Sequence, residues 1–312
     1  MKVIVFGASG LIGKAIASEL RGHGHQVVTA GRSSCDVTFD FAYDHTEAVF
    51  RAVVKGADIV VNSVGILIER GENTFAKVHV QAPTALFKAC ALEHVARIVH
   101  ISGMGVSDAP GGIAGAYTAT KLAAEHALAA CPVDYAIVRP ALVIDPTSPS
   151  TRLLQWLARL PIIALPGLLH PGASQVHPIN NTDVAEAVAR ICEHEKALRR
   201  VIELAGPEVM SYKEMLRRYR TAGGDGKGGK GGKPGKGAAL WLPMPWWLMN
   251  LTARLAAYLP QKVVSLDTLR MLRASAVSHQ NEAGYWLRRL PKQAIKTVEY
   301  AQAATKYVAN QK

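Results

Sequence analysis

The sequence predicts an α/β fold, a doubly wound parallel sheet followed by a smaller, mostly helical carboxy-terminal lobe. The chain opens on a short uncharged run at residues 3–6, rich in β-branched side chains, as expected of a parallel strand buried on both faces. Similar apolar runs alternate with helical segments further along, the pattern of a sheet covered by helices. A chain of 312 residues with 49% hydrophobic content is also large enough to bury a full core.

The first strand leads directly into a glycine-spaced turn and a helix. Gly7 permits a tight turn, Gly10 removes a side chain where a pyrophosphate would approach backbone N–H groups, and Gly13 lets the helix pack closely. The unpaired N–H groups at the start of the helix favour an anion. We therefore predict a dinucleotide site here rather than a generic strand-to-helix turn, with contacts from Gly7, Ser9, Gly10, Leu11, Ile12 and Gly13.

Two motifs carry a resemblance to a known family. The spacing G-x-x-G-x-x-G resembles the short-chain dehydrogenase/reductase superfamily in its extended or atypical branch, and Tyr117 to Lys121 matches that family's Y-x-x-x-K. The resemblance implies a Rossmann sheet and a nicotinamide cofactor. On a helix, Tyr117 and Lys121 lie on one face, and a neighbouring ammonium lowers the pKa of a phenol. The resemblance therefore implies that Tyr117 is the acid or base and that Lys121 holds the nicotinamide ribose.

The third member of the family's catalytic set departs from the pattern. In the family's I-S-S sequence, the second serine hydrogen-bonds the substrate carbonyl, whereas this chain has Ile101-Ser102-Gly103. Ser102 is one residue early, and alternation along a strand would aim it at the opposite face. Ser102 is kept as a catalytic candidate for the case in which the strand end is shifted. The glycine argues against hydride transfer to a carbonyl, but not against dinucleotide binding.

The end of the second predicted strand, at residues 25–30, bears on the choice of cofactor. An acidic residue near this point would hold an unmodified ribose, but the chain has Gly31 followed by Arg32 and Ser33. A guanidinium with hydroxyl donors suits a 2′-phosphate. We therefore favour NADP(H) over NAD(H), the alternative being a surface arginine in a loop. Few residues separate Arg32 from the next extended run at 36–41, so the usual crossover helix is expected to be short or missing.

The resemblance implies further cofactor contacts at the ends of later strands. Asp40-Phe41 stands where the family places its adenine-contacting pair, the turn at 62–65 resembles its N-N-A-G, and the sequence at 139–143 resembles its R-P-G-x-V beside the nicotinamide. The predicted cofactor contacts beyond the glycine turn are Arg32, Ser33, Asp40, Phe41, Ser63, Val64, Gly65, Ser102, Tyr117, Lys121, Pro140 and Val143.

Residues 74–94 are predicted to form one long helix with an apolar face. His79 lies on this helix. A lone helical histidine is more often packed or solvated than functional, so we favour a structural role for it.

Composition limits the cellular compartment and the binding partners that we expect. The four cysteines are far apart with no C-x-x-C pair, which favours reduced thiols in the cytoplasm, and no metal site is predicted. The net charge of +12 is compatible with nucleic acid, an anionic membrane surface or a phosphate-rich cofactor. No recognised nucleic-acid module accompanies the basic residues, so nucleic acid is not an expected partner. No apolar run is long enough to predict a spanning helix.

We predict an NAD(P)-binding domain at 1–170 with strand and helix returns at 171–205, and a carboxy-terminal lobe at 206–312. Within the lobe, residues 223–237 form a Gly/Lys-rich loop, followed by Trp241, Trp246 and Trp247. Two alternatives remain open for this region. It either roofs the pocket of a small-molecule substrate, or makes a peripheral contact with an anionic membrane surface, at its inner face, or with a membrane-bound protein complex.

Residues 61–67, 100–102 and 206–207 resemble one branch in particular, the atypical reductases related to the nucleotide-binding accessory subunit of respiratory complex I. Two functions therefore stay open. One is an NADP(H)-dependent reductase of a small-molecule carbonyl. The other is a non-catalytic accessory or assembly protein of a membrane-associated respiratory complex, in which the dinucleotide mainly stabilises the fold. Gly103 is the residue that distinguishes the reductase from the accessory protein.

Overall fold

The computed structural model describes residues 1–107, 113, 115–166, 175–223, 239–245, 277–278 and 280–287. The chain divides into two compact units. The first comprises Met1–Ala141, Asn181–Ala205 and Ser278–Leu290, and the second comprises Leu142–Asn180, Gly206–Val277 and Pro291–Lys312. The predicted domain boundaries at 170 and 206 stay a prediction.

The strands and helices follow one another in the order expected of an α/β protein. The strands are β1 (Lys2–Phe6), β2 (Gln26–Gly31), β3 (Val37–Thr38), β4 (Ile59–Asn62), β5 (Arg97–Ile101), β6 (Asp134–Pro140), β7 (Val143–Ile144), β8 (Ile162–Pro166), β9 (Gln175–Val176), β10 (Ile179–Asn180), β11 (Arg200–Leu204), β12 (Met210–Ser211) and β13 (Leu240–Met244). The helices are α1 (Leu11–Gly22), α2 (Glu47–Val54), α3 (Ala82–Leu92), α4 (Ala116–Ala129), α5 (Pro149–Ala158), α6 (Asn181–Glu193), α7 (Tyr212–Gly223) and α8 (Ala283–Trp286).

The first unit is built on a seven-stranded sheet in the order β11-β6-β5-β4-β1-β2-β3. All neighbouring strands are parallel. The order turns back at β1, as it does in a doubly wound sheet, and the predicted fold class is confirmed. Because the strands are parallel, the turns that follow β1, β4 and β5 meet at one edge of the sheet. Ligands of such sheets bind outside this edge.

The core of this unit explains why its central strands are mainly apolar. Every residue of β4 and β5 is buried, as expected when helices cover both faces of a parallel sheet. At the β1–β3 end, four phenylalanine rings pack edge to face or tilted, with centroids 4.9 to 6.0 Å apart; they belong to Phe6, Phe39, Phe41 and Phe50. This cluster anchors the chain that follows β2.

Two predicted elements differ from the structure. The single helix expected at 74–94 is a π-helical segment, Ala76–Gln81, followed by α3. Pro83, near the start of α3, has no N–H to donate, so the regular α-helical pattern cannot run through this point. The extended run expected at 36–41 forms a strand only at β3. The missing crossover helix is confirmed, because β2 and β3 pair in parallel with a short loop between them.

The second unit contains three strand pairs, β7 with β10 and β8 with β13 in parallel, and β9 with β12 antiparallel. The Gly/Lys-rich loop from residue 224 onward, Trp246, Trp247 and most of the rest of the predicted carboxy-terminal lobe lie outside the described residues. Among the residues that the structure does describe, no helix is long and apolar enough to cross a bilayer.

Candidate functional site

Two of the three glycines are required by the geometry of the turn after β1. Gly7 has φ +80° and its N–H donates to Ala30 O at 2.8 Å. A Cβ on Gly7 would lie 2.9 Å from the backbone nitrogen of Val64, and a Cβ on Gly13 would lie 2.4 Å from Gly7 O. Both distances are below those that real Cβ atoms adopt. The predicted reasons for these two glycines, a tight turn and close packing of α1, are confirmed.

Gly10 differs from Gly7 and Gly13, because a Cβ there would make a tight contact instead of an overlap. Among the described residues, the one atom within 4 Å of that Cβ is Gly7 O, at 3.2 Å. Gly10 and Ser9 are exposed, while Leu11 and Ile12 are half-buried at the start of α1. Within the described residues, no side chain caps this helix and its first turn holds no acidic residue. Its free N–H groups and positive dipole end can therefore face an anion.

At the end of β2, an acidic residue in place of Gly31 would require two neighbouring side chains to move. A Cβ on Gly31 would lie 2.8 Å from Ser9 Oγ and 2.9 Å from Cys35 Sγ. The carboxylate of Asp36, five residues after Gly31, accepts hydrogen bonds from the N–H and hydroxyl of Thr29, at 2.8 and 2.7 Å, and these bonds lower its pKa. Asp36 is thereby held by the strand.

Arg32 and Ser33 are both exposed immediately after Gly31. Within the described part of the chain, neither side chain has a hydrogen bond or an ion pair. Their donors are therefore available to a ligand at the end of β2.

The two residues predicted to contact adenine, Asp40 and Phe41, have different surroundings in the structure. Asp40 is half-buried and its Oδ1 accepts the N–H of Ala42 at 3.0 Å, which caps the local turn. Phe41 is buried in the phenylalanine cluster, 5.8 Å from the ring of Phe6. Its ring is thereby committed to the core, so an adenine contact at Phe41 could involve its backbone alone.

The turn at 62–66, which follows β4, is held by side chains on both sides. Ser63 Oγ donates to Phe6 O at 2.7 Å, and Val64 N–H donates to Asn62 Oδ1 at 3.1 Å. Asn62 Nδ2 in turn lies 3.2 Å from His100 Nδ1, and burial holds the pKa of His100 well below its usual value. Gly65, at the tip of the turn, is exposed. The turn therefore presents backbone and small side chains at the same edge as the glycine turn.

Tyr117 and Lys121 are both buried on α4. Lys121 Nζ donates to Ile101 O at 3.0 Å and to Val64 O at 3.5 Å, so it bridges the ends of β4 and β5. Burial lowers the pKa of Lys121 to about 8, and the Glu125 carboxylate opposes this shift. Burial raises the pKa of Tyr117 to about 12, the opposite of the lowering expected from a neighbouring ammonium. In this structure, desolvation of the phenolate outweighs the charge of Lys121.

Gly103 is the residue that faces the Tyr117 hydroxyl. A Cβ at this position would lie 3.2 Å from Tyr117 Oη. Ser102 is buried, and within the described residues its Oγ has no hydrogen-bond partner, Tyr117 included. Gly103 therefore lies beside the Tyr117 hydroxyl, and Ser102 is not bonded to it.

Two further predicted contacts lie at the end of β6 and beyond it. Pro140, the last residue of β6, is buried. Val143 begins β7 and belongs to the second unit.

Sequence reasoning missed two interactions that position α4. The Glu125 carboxylate accepts two hydrogen bonds from Arg139, at 3.1 and 2.6 Å, which fixes α4 to β6. His79 lies between the turn at 62–66 and α4, 5.4 Å from the ring of Tyr117. For the first, the i, i+4 spacing of Glu125 from Lys121 shows a carboxylate one turn from a cation on α4, but it does not indicate Arg139 as the partner. No pattern in the sequence signals the second.

The fold and this edge define a dinucleotide-binding protein of the doubly wound α/β class. The sequence profile of the NAD(P)H-binding family matches residues 7–195, and the chain belongs to that family. The predicted resemblance to the short-chain dehydrogenase/reductase superfamily is thereby confirmed.

Two curated proteins are similar in sequence. The chain is 31% identical over 157 residues to dTDP-4-dehydrorhamnose reductase of Mycolicibacterium smegmatis, covering 46% of each protein. It is 28% identical over 237 residues to NADH dehydrogenase [ubiquinone] 1 alpha subcomplex subunit 9, mitochondrial, of Arabidopsis thaliana, covering 68% of this chain and 55% of that protein. The chain thus spans about half the length of the curated relatives it matches.

Solved structures share the fold at lower identity. UDP-N-acetylglucosamine 4-epimerase from Bacillus cereus matches with a TM-score of 0.68 at 15% identity, over 98% of this chain and 96% of that one. UDP-glucuronic acid 4-epimerase from the same organism, solved in complex with NAD, matches with a TM-score of 0.69 at 15% identity, over 99% of both chains. At this identity the likeness shows the fold alone.

Proposed function

We propose that this chain binds NADP(H) and reduces a carbonyl group of a small molecule, with Tyr117 as the acid and Lys121 as the ribose anchor. The observation that carries the proposal is the placement of Lys121. Its ammonium bonds to Ile101 O and Val64 O, at the carboxyl ends of two parallel strands beside the glycine turn. This is the edge at which doubly wound sheets bind dinucleotides.

The preference for the 2′-phosphorylated cofactor is supported by three features at the end of β2. An acid in place of Gly31 would require the side chains of both Ser9 and Cys35 to move. Asp36 is engaged by Thr29. The Arg32 guanidinium is exposed and, among the described residues, has no other partner. A guanidinium in this position fits a phosphate by charge and by hydrogen-bond geometry.

The chemistry assigned to each residue follows from its protonation. A bound NADPH would supply the hydride. With a pKa of about 12, Tyr117 holds its proton at neutral pH and can donate it to a carbonyl oxygen. With a pKa of about 8, Lys121 is mainly protonated at neutral pH, so its charge favours the phenolate that remains after the transfer.

Calorimetry with NADPH and NADH tests the cofactor assignment. Arg32→Ala should weaken NADPH binding by about 1.5 to 3 kcal/mol, the value of a charge-assisted contact, and leave NADH binding little changed. Arg51→Ala is the matched control, because it removes the same charge from the exposed side of α2, where Arg51 pairs with Glu93. Equal losses for both nucleotides, or a parent protein without preference, would contradict the assignment.

Mass spectrometry of the nucleotide released from purified protein, followed by a test of its oxidation over time, addresses turnover. We expect NADPH or NADP⁺ to be released, and bound NADPH to be oxidised when small aldehydes and ketones are added. Tyr117→Phe is the control, because it retains the ring and removes the proton donor. Oxidation at the same rate in this variant would argue against Tyr117 as the acid.

A second function is favoured by Gly103. A family member that reduces carbonyls carries a hydroxyl at this position, and loss of one such donor costs roughly 100- to 1000-fold in rate. A chain with glycine beside Tyr117 fits a nucleotide-binding accessory or assembly protein of a membrane-associated respiratory complex, in which the dinucleotide stabilises the fold. The similarity to the Arabidopsis thaliana subunit supports this alternative. It predicts that bound NADPH raises the melting temperature and persists unoxidised.

A further inference from the structure

His79 occupies a central position among the groups that surround Lys121. Its ring stacks on Phe75 at a centroid distance of 5.2 Å and meets the edge of Tyr117 at 5.4 Å. A Cβ on Gly65 would lie 3.2 Å from Lys121 Nζ and 3.7 Å from His79 Nε2. The imidazole therefore borders both the exposed tip of the turn at 62–66 and the buried ammonium.

The hydrogen bonds of His79 determine its tautomer. Ile66 N–H donates to Nε2 at 3.0 Å, so Nε2 carries a lone pair. Nδ1 then carries the proton and donates it to Thr120 Oγ1 at 3.2 Å. The Thr120 hydroxyl in turn donates to Ala116 O at 2.8 Å, on the preceding turn of α4. In this series of three hydrogen bonds, each donor meets an acceptor.

The ring stays neutral at any ordinary pH. Burial, and after it the charge of Lys121, lowers the pKa of His79 to about 2. An imidazolium would lose the bond from Ile66 N–H, because both of its nitrogens are donors. A neutral ring accepts on one side and donates on the other. It can therefore act as a rigid spacer between the turn and α4.

We propose that His79 is a positioning residue for the nicotinamide half of the cofactor site, which it builds by fixing the turn at 62–66 against the helix that carries Tyr117 and Lys121. This inference rests on the proposed function, since that function places the nicotinamide ribose at Lys121. The adenosine half is bordered by other residues, at Arg32 and Asp40, with which His79 shares no contact among the described residues. His79 should therefore affect one half of the ligand and spare the other.

Two substitutions of His79 distinguish the effects of its two hydrogen bonds, to Ile66 and to Thr120. In His79→Gln, the side-chain oxygen can reach the position of Nε2 and keep the bond from Ile66 N–H. In His79→Asn, the shorter amide can reach Thr120 only, so the turn loses its anchor. Thr120→Val removes the partner of Nδ1 while leaving His79 in place. His126→Asn is the matched control, because His126 is an exposed histidine on α4, the helix that carries Thr120.

The test is titration of each variant with two ligands, NADPH and adenosine 2′,5′-bisphosphate, which lacks the nicotinamide riboside. We expect His79→Asn to weaken NADPH binding about tenfold and Thr120→Val to weaken it less, with the bisphosphate affinity unchanged in both. His79→Gln should recover most of the loss, and His126→Asn should match the parent. A merely structural role would weaken both ligands together.

Three outcomes would overturn the proposal: unchanged NADPH affinity in both His79→Asn and Thr120→Val, an equal loss for both ligands, or His79→Gln as weak as His79→Asn. In each of them the parent still binds NADPH, so the proposed cofactor site survives. A parent that binds neither ligand would overturn the proposed function and this inference together. Because Thr120→Val leaves the imidazole intact, the test does not depend on the folding of the His79 variants.

Discussion

Lys121 is a buried cation, and the sign of its pKa shift makes a prediction about stability. Its pKa falls from the ordinary 10.5 to about 8 because burial disfavours the charged form. Between these two values the unfolded chain binds more protons than the folded one, so stability rises with pH across this window. The stabilisation is present in full above pH 10.5 and is lost as pH falls through 8.

We therefore expect the nucleotide-free parent to gain stability relative to Lys121→Met between pH 8 and 10, by up to about 1.4 kcal/mol per pH unit. Urea unfolding of both proteins at a series of pH values measures the difference. The comparison cancels other groups that titrate in the same range. If the difference between the two proteins is independent of pH, Lys121 does not carry the shifted pKa.

Gly103 offers a second prediction at the scale of one residue. Gly103→Ser would place a Cβ about 3.2 Å from Tyr117 Oη, and a small shift of the phenol would accommodate it. The serine would add a hydroxyl beside that of Tyr117. If the site reduces carbonyls, we expect the variant to raise the rate of NADPH oxidation by aldehydes about tenfold or more. Gly103→Ala controls for the Cβ alone. An unchanged rate in the serine variant would favour the accessory function.

The sequence could predict the residues whose roles depend on local geometry. The reasons given for Gly7 and Gly13 follow from φ and from close approach within one turn, both of which a spacing pattern encodes. The pKa of Tyr117 depends on burial by distant parts of the chain, and the contacts of His79 join residues from three separate elements. No short sequence pattern contains this information. The sequence therefore predicts a lowered pKa for Tyr117, and a packed or solvated residue at His79.

At the scale of an element, the glycine turn predicts two different results for two neighbouring glycines. Gly10 has φ −84° and ψ 168°, which any residue can adopt, and a Cβ there meets just Gly7 O. We expect Gly10→Val to retain the parent's melting temperature closely and to lose nucleotide binding, because the side chain occupies the pyrophosphate's approach. Gly13→Val should be destabilised by several kcal/mol, since it forces α1 away from Gly7 O. Thermal unfolding and calorimetry measure both effects.

Retention of nucleotide by Gly10→Val would show that the start of α1 is not the phosphate site. A Gly10→Val protein as unstable as Gly13→Val would contradict the difference in packing between the two positions. The pair therefore separates the role of the turn in folding from its role in binding.

Other elements show where the sequence pattern was sufficient and where it was not. β4 and β5 are recognisable because both of their faces are covered, which leaves short apolar runs at residues 59–61 and 98–99. The helix predicted at 74–94 is interrupted because Pro83 cannot donate a hydrogen bond, an effect that apolar periodicity does not register. β3 is short, and Phe39 and Phe41, which follow it, are buried in the core.

At the scale of the whole molecule, the basic charge and the second unit bear on the proposed membrane contact. Trp241 is half-buried in that unit, with Lys213 Nζ and Arg217 Cζ at 5.8 and 5.9 Å from its ring centre. These cation–π contacts engage the indole within the protein. The larger contribution to a membrane contact is therefore expected from the Gly/Lys-rich loop at 223–237 and from Trp246 and Trp247.

The last prediction concerns binding to anionic vesicles. Each lysine near an anionic surface contributes about 1 kcal/mol, and this attraction weakens with salt. We expect the parent to cosediment with vesicles of phosphatidylserine and phosphatidylcholine at low salt, and to be released by added salt. Replacing the loop lysines by glutamine keeps the length and composition of the loop while removing its charge; they are Lys227, Lys230, Lys233 and Lys236. This variant should bind more weakly than the parent, as should a protein lacking residues 223–237, and neutral vesicles should bind neither. If lipid charge has no effect and tryptophan emission is unchanged on mixing, the region is better explained as the roof of a substrate pocket, because a roof needs no anionic surface.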